Sequence, residues 1–171
     1  MIPHRRIERG RDDQAILDFH VEIIFGSESA WAQVGGYAAY CRKWLSTAQP
    51  VSFLSDLYAS QSDLRTVGEI WEESGLAVGY VWATFHEVPE YGFSFVEVRD
   101  IAVAPSHRHQ GLGMAIMDYV ERHAVACGAK ALRSEVGTGN AASQGLHLKA
   151  GYQPYRTLME KVLNPESGPE S

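Results

Sequence analysis

The sequence predicts a single α/β (α+β) domain with a mixed, mostly antiparallel central sheet of six to seven strands, flanked by about four helices. Three observations carry this prediction. Residues 67–72 and 76–85 are rich in β-branched and aromatic side chains and flank Glu73-Ser74-Gly75, the pattern of a β-hairpin. Residues 93–104 form a further long strand, and the helix and strand that follow complete a βαβ unit. The 171 residues are enough for one domain burying roughly 70% of its unfolded surface.

Residues 5–10 read as an edge strand. Asp12 or Asp13 then caps a helix with Ile16, Leu17, His20, Ile23 and Ile24 at helical spacing, stopped by Gly26-Ser27. A second helix is expected over 30–45, weakened by Gly35-Gly36, followed by only a short helical turn around Leu54, Leu57 and Tyr58. After the hairpin and the 93–104 strand, residues 105–110 are a polar loop. Residues 111–127 are a helix with Leu112, Ala115, Ile116, Tyr119, Val120, Ala124 and Cys127 on one face. Gly128 ends it, residues 131–136 are a strand, and Asn140 caps a short helix reaching Ala150. A last strand is expected over 152–162. The domain thus occupies 1–163, with 164–171 a solvated tail.

Fifteen Lys and Arg stand against twenty-one Asp and Glu, a formal net charge of -6. That balance disfavours nucleic acid and anionic lipid and favours cationic partners. The cysteines, Cys41 and Cys127, match neither a disulfide framework nor a zinc pattern, so no metal is expected. No run of apolar residues has membrane-spanning length, and the start, Met1-Ile2-Pro3-His4-Arg5-Arg6, lacks a signal-peptide core. The expected compartment is the cytoplasm, without a membrane partner.

The segment richest in chemistry is Val98-Arg99-Asp100-Ile101-Ala102-Val103-Ala104-Pro105-Ser106-His107-Arg108-His109-Gln110-Gly111-Leu112-Gly113. Here a strand runs into a loop whose glycines open a helix. The first amides of that helix lack intrahelical partners and sit at the positive end of its dipole, which makes the loop an anion site. Arg108 adds a full charge. Ile116 occupies the third small position of the dinucleotide fingerprint and no Gly-Lys-Ser/Thr is present, so NAD and an ATPase are disfavoured.

The pattern that does match is Arg/Gln-x-x-Gly-x-Gly/Ala, as Arg108-His109-Gln110-Gly111-Leu112-Gly113, just after a strand ending Val103-Ala104-Pro105. Together with Val78-Gly79-Tyr80-Val81, Phe95-Val96-Glu97-Val98 and the block from Asn140 to Tyr152, it resembles the GNAT superfamily of acyl-CoA-dependent N-acetyltransferases. The resemblance runs from about Val67 to Lys161. It implies acetyl-CoA as acyl donor, with the amides of Arg108, His109, Gln110, Gly111, Leu112 and Gly113 on the coenzyme A pyrophosphate. It also places Ile101, Ala102 and Val103 along the pantetheine arm, with Ile101 and Val103 acting through main-chain groups. Asn140 and Ser143 fall in the second cofactor-binding block, where Asn140 equally reads as a plain helix cap.

Glu97 matches the position of the family's general-base glutamate, against the reading of a strand carboxylate paired with Arg99. Strict alternation places Glu97, Arg99, Ile101 and Val103 on one face and Val98, Asp100 and Ala102 on the other, and a bulge would exchange the sides. Where many family members carry a tyrosine that protonates the departing thiolate, this sequence has His147, with Tyr152 and Tyr155 as fallbacks. His107 and His109 read as solvated loop residues. Phe25, Trp31 and residues 87–91 are acceptor-pocket candidates by location, and Glu87 and Glu90 suit a cationic amine.

The implied activity is acetyl transfer to a primary amine by direct attack, with Glu97 as base, His147 as acid and a small cationic amine as acceptor. The alternatives are a non-catalytic acyl-CoA-binding regulatory domain, motivated by His147, and a protein N-terminal or lysine acetyltransferase. A homodimer is left open.

Overall fold

The computed structural model describes residues 2–161. The chain order is β1 (His4–Arg6), α1 (Asp13–Ser27), α2 (Gly36–Leu45), α3 (Gln49–Ser60), β2 (Val67–Glu73), β3 (Leu76–Val88), β4 (Phe93–Val103), α4 (Leu112–Ala126), β5 (Ala131–Ser134) and α5 (Ala141–Lys149). The strands form one sheet in the order β1-β2-β3-β4-β5. Every pairing is antiparallel except β4 with β5, which is parallel.

Among the described residues there are five strands and five helices, where six to seven strands and about four helices are expected from sequence. Residues 152–161 adopt no regular structure, so the last strand is not realised within them. Pro154 has no N–H to give a ladder at that point. Val162 and the tail lie outside the described residues. The short turn expected near Leu57 is instead the twelve-residue α3, opened by Pro50 in its first turn, where a missing N–H costs nothing. Conversely, α2 begins only at Gly36, because Gly35 and Gly36 both hold positive φ.

Asp12 does not cap α1 with its side chain. Its carboxylate instead takes both guanidinium N–H groups of Arg5 at 2.7 Å and the amide of Glu8, fastening β1 to the start of α1. The β2–β3 hairpin forms as expected, and Ser74 and Gly75 both take the positive φ of a tight two-residue turn.

Alternation along β3 feeds two cores. Val81 joins Val67, Val96, Val98, Leu112, Ile116 and Val120 on the α4 face. Tyr80 and Trp82 join Ile16, Phe19, Leu57 and Ile70 on the face covered by α1 and α3. Gly79 lets α4 close on the sheet: a Cβ built there meets Ile116 at 3.1 Å and Leu112 at 3.3 Å.

Two irregularities in β4 shape the site. The register jumps from Trp82 opposite Asp100 to Ala83 opposite Val98, so Arg99 is an extra residue. Pairing with β5 ends at Val98 and Ser134, while β4 continues to Val103. The sheet therefore splays open beyond that pair.

Candidate active site

The bulge at Arg99 exchanges the faces of β4. Val96 and Val98 face α4, and past the bulge so do Ile101 and Val103. Asp100 and Ala102 turn to the α1 and α3 face, the face that Glu97 also occupies. Strict alternation along the strand is thereby corrected: Glu97 shares its side with Asp100 and Ala102, and Ile101 and Val103 lie opposite.

The α4 N-terminus carries the features of an anion cradle. His109 and Gly111 have φ of +61° and +89°, a loop conformation that turns successive amides toward one side. No side chain caps α4, and the first backbone bond into the helix comes from Ala115, leaving the amides of residues 109–114 without a protein acceptor among the described residues, whereas the Arg108 amide donates to the Pro105 carbonyl. A Cβ built on Gly111 meets nothing within 4 Å, so open space adjoins the loop. Leu112 is buried in the core, and Gly113 lies against Leu146 and Val103. Gln110 donates to the Ser106 carbonyl. These features fit a diphosphate held by main-chain donors. Arg108 turns back instead, donating to the Val103 carbonyl at 2.9 Å and pairing with Glu22 of α1.

On the α1 and α3 face a cavity of about 360 Å³ opens, within the range of small-ligand sites. Arg99 and Glu135, the first residues beyond the last β4–β5 pair, both line it, so the splay opens into the cavity. Its wall carries three carboxylates, Asp56, Asp100 and Glu135, and three aromatic rings, Trp44, Phe53 and Trp82. His20 also lines it. Its Nδ1 lies 2.8 Å from Asp100, and its ring stacks on Phe53 with centroids 3.6 Å apart. Asp100 is 4% exposed. Burial pushes its carboxyl above the usual range, opposed by the bonds from His20 and Tyr80.

Glu97 is absent from the cavity wall. Its carboxylate accepts from Arg99 at 3.1 Å and lies 3.5 Å from His86, while Arg99 reaches over the Trp82 ring. His147 is buried in α5 with both ring nitrogens engaged. Nδ1 donates to the Ser143 carbonyl at 2.7 Å, and Nε2 accepts from the Ser134 hydroxyl at 3.0 Å. Burial pushes its pKa below 6.5, so the neutral ring is favoured. Asn140 caps α5 by accepting from the Ser143 amide. Tyr152 packs edge-on to His147, and Tyr155 is exposed beneath the Arg133 guanidinium.

Of the acceptor-side candidates, Glu87 pairs with Arg65, Trp31 is exposed and Phe25 packs on Tyr37 and Tyr40, none of them on the cavity wall. The residues sequence reasoning missed are Asp56, Glu135 and the His20–Asp100 pair. A polar His20 within the apolar stripe of α1 was the one available signal.

The model of the Acetyltransferase (GNAT) family matches residues 37–152, more than half of the chain. Among curated proteins, none matches in sequence. A protein from Bacillus halodurans C-125 described as a transcriptional regulator is 13% identical, with a TM-score of 0.69 over 95% of this chain and 100% of that one. An aminoglycoside N-acetyltransferase solved with CoA is 17% identical, with a TM-score of 0.64 over 95% of each chain. A glucosamine-6-phosphate N-acetyltransferase from Arabidopsis thaliana is 13% identical, with a TM-score of 0.61 over 95% of this chain and 99% of that one. At such identities the likeness shows the fold, and the family match does the rest: the chain belongs to the GNAT family of acetyltransferases, enzymes whose acetyl donor is acetyl-CoA.

Proposed function

We propose that this enzyme acetylates a primary amine on a small cationic molecule by direct attack of the amine on the thioester. The observation that carries this reading is the cavity at the splay, with three carboxylates against Arg99, whose guanidinium is already engaged by Glu97. Carboxylates favour ammonium groups by charge, and Trp44, Phe53 and Trp82 offer faces to cations and sugar or alkyl surfaces. Two acetyltransferases that share the fold act, by their names, on an aminoglycoside and an amino sugar phosphate. Direct transfer is favoured because neither Cys41 nor Cys127 lines the cavity.

The cofactor-side residues follow the same reading. Of the amides of Arg108 to Gly113 that the resemblance assigns to the diphosphate, those from His109 onward hold it, together with that of Met114, because the Arg108 amide already donates to the Pro105 carbonyl. The free edge of β4 beyond Val98 offers Ile101, Ala102 and Val103 to the pantetheine, once Arg108 leaves the Val103 carbonyl for the phosphates. Asn140 and Ser143 border it from α5. Acetyl-CoA supplies the activated acetyl group. Glu97 positions Arg99 at the cavity rim, and the neutral His147 holds the Ser134 hydroxyl at the last sheet pair.

The test is thiol release from acetyl-CoA over a panel of polyamines, amino sugars and uncharged alcohols. Turnover is expected with the cationic amines, and Asp56→Asn and Glu135→Gln should each raise KM for them about tenfold, the loss of a charge-assisted hydrogen bond. A coenzyme-binding chain that releases no thiol with any amine is a regulatory domain instead.

A further inference from the structure

We propose that His20, oriented by Asp100, takes the proton from the acceptor amine, with Nε2 as the receiving atom. This rests on the acetyltransferase reading above and assigns its proton acceptor to a residue outside the strand where the sequence places it.

The geometry points to this pair on four counts. A carboxylate can only accept, so the 2.8 Å contact fixes the proton of the neutral ring on Nδ1 and leaves the lone pair on Nε2. Nε2 has no protein partner among the described residues, and His20 lines the cavity. The ring is held in one plane by its stack on Phe53, 16° from parallel, and by Trp44 at 5.4 Å. Asp100 also accepts from the Tyr80 hydroxyl at 3.4 Å, so it is anchored from β3 as well as α1. A buried carboxylate bonded to an imidazole on a cavity wall is the arrangement by which a carboxylate sets the tautomer of a base and steadies the imidazolium that forms.

Glu97 lacks these features. Its carboxylate is committed to Arg99 and His86, off the cavity wall. The charged and titratable groups around His20 are Asp56 from α3, Tyr80 from β3, Arg99 and Asp100 from β4, and Glu135 beyond β5.

The proton and electron balance is complete. The bound ammonium loses one proton to Nε2 and becomes a neutral amine. Its nitrogen lone pair forms the N–C bond at the thioester carbonyl, and the C–S pair leaves with sulfur. The second nitrogen proton goes to that sulfur, giving the amide and the free thiol. The imidazolium returns its proton to water through the cavity mouth.

The test compares kcat/KM of the wild type, His20→Gln, Asp100→Asn and Glu97→Gln for a cationic amine, from below neutral pH to well above it, with CoA binding by calorimetry as a check on folding. The expected result is a loss of roughly 10²–10⁴-fold in His20→Gln near neutrality, with CoA affinity retained. That loss should shrink at alkaline pH, where the amine is neutral without help. Asp100→Asn should lower kcat more than it raises KM. A His20→Gln loss of the same size at every pH, or alkaline-rescued loss in Glu97→Gln alone, overturns the proposal. A wild type inactive with every amine overturns the acetyltransferase reading instead. If His20→Gln loses CoA binding, His20→Asn is measured in its place by the same criteria.

Discussion

At the residue scale, His147 shows how a titratable group is held in one state. Its ring is 5% exposed, with one nitrogen on a carbonyl and the other on a hydroxyl. Burial lowers its folded pKa below 6.5, although the bond to Ser143 works the other way. A depressed folded value means that the stability contribution is present above the unfolded pKa and is lost as pH falls through the folded one. The protein is therefore expected to lose thermal stability as pH drops below about 6.5, more steeply than His147→Gln does. Equal slopes in paired melting curves would show that His147 is not buried neutral. The sequence identified His147 as the departure from a tyrosine, but its pairing with Ser134 comes from β5, a separate element. Arg99 marks the other limit: one inserted residue exchanges the faces of β4, and alternation alone does not reveal where a bulge falls.

At the element scale, α4 joins the cofactor loop to the sheet. Its buried face carries Leu112, Ile116, Val120 and Ala124, of which Ile116 and Leu112 pack over β3 at Gly79. A methyl group at Gly79 must push against Ile116 and Leu112, both buried. Gly79→Ala is expected to cost about 1–3 kcal/mol by overpacking, read as a lower urea midpoint at unchanged slope. An unchanged midpoint would mean that α4 has room to shift. Gly111→Ala should cost ~1–2 kcal/mol for a different reason, its φ of +89°. Legibility differed by element. The hairpin, α4, β5 and α5 carried strong periodicity and glycine or asparagine stops, and they form where the pattern places them. In contrast, α3 carries an exposed polar face and two buried residues, Pro50 and Leu57, too few to announce a helix. Residues 152–161 have the composition of a strand, but Leu158 and Met159 are fully exposed and no neighbour supplies a ladder.

At the scale of the whole molecule, the five-stranded sheet separates two tasks. The α4 face carries the loop proposed to meet the diphosphate, and the α1 and α3 face carries the acidic, aromatic cavity. The splay beyond Val98 and Ser134 connects them. The uncapped start of α4 was legible because a glycine-rich helix start leaves a contiguous sequence pattern. The acceptor half was not, because His20, Asp56, Asp100 and Glu135 come from four segments that only the fold brings together. No helix among the described residues is long and apolar enough to cross a membrane. The most direct test of this division is calorimetric titration of the protein with coenzyme A and with pantetheine, which lacks the diphosphate. Saturable binding of coenzyme A, with most of the affinity lost for pantetheine, is the result the amide cradle predicts. Equal affinity for the two ligands, or no binding of either, would contradict it.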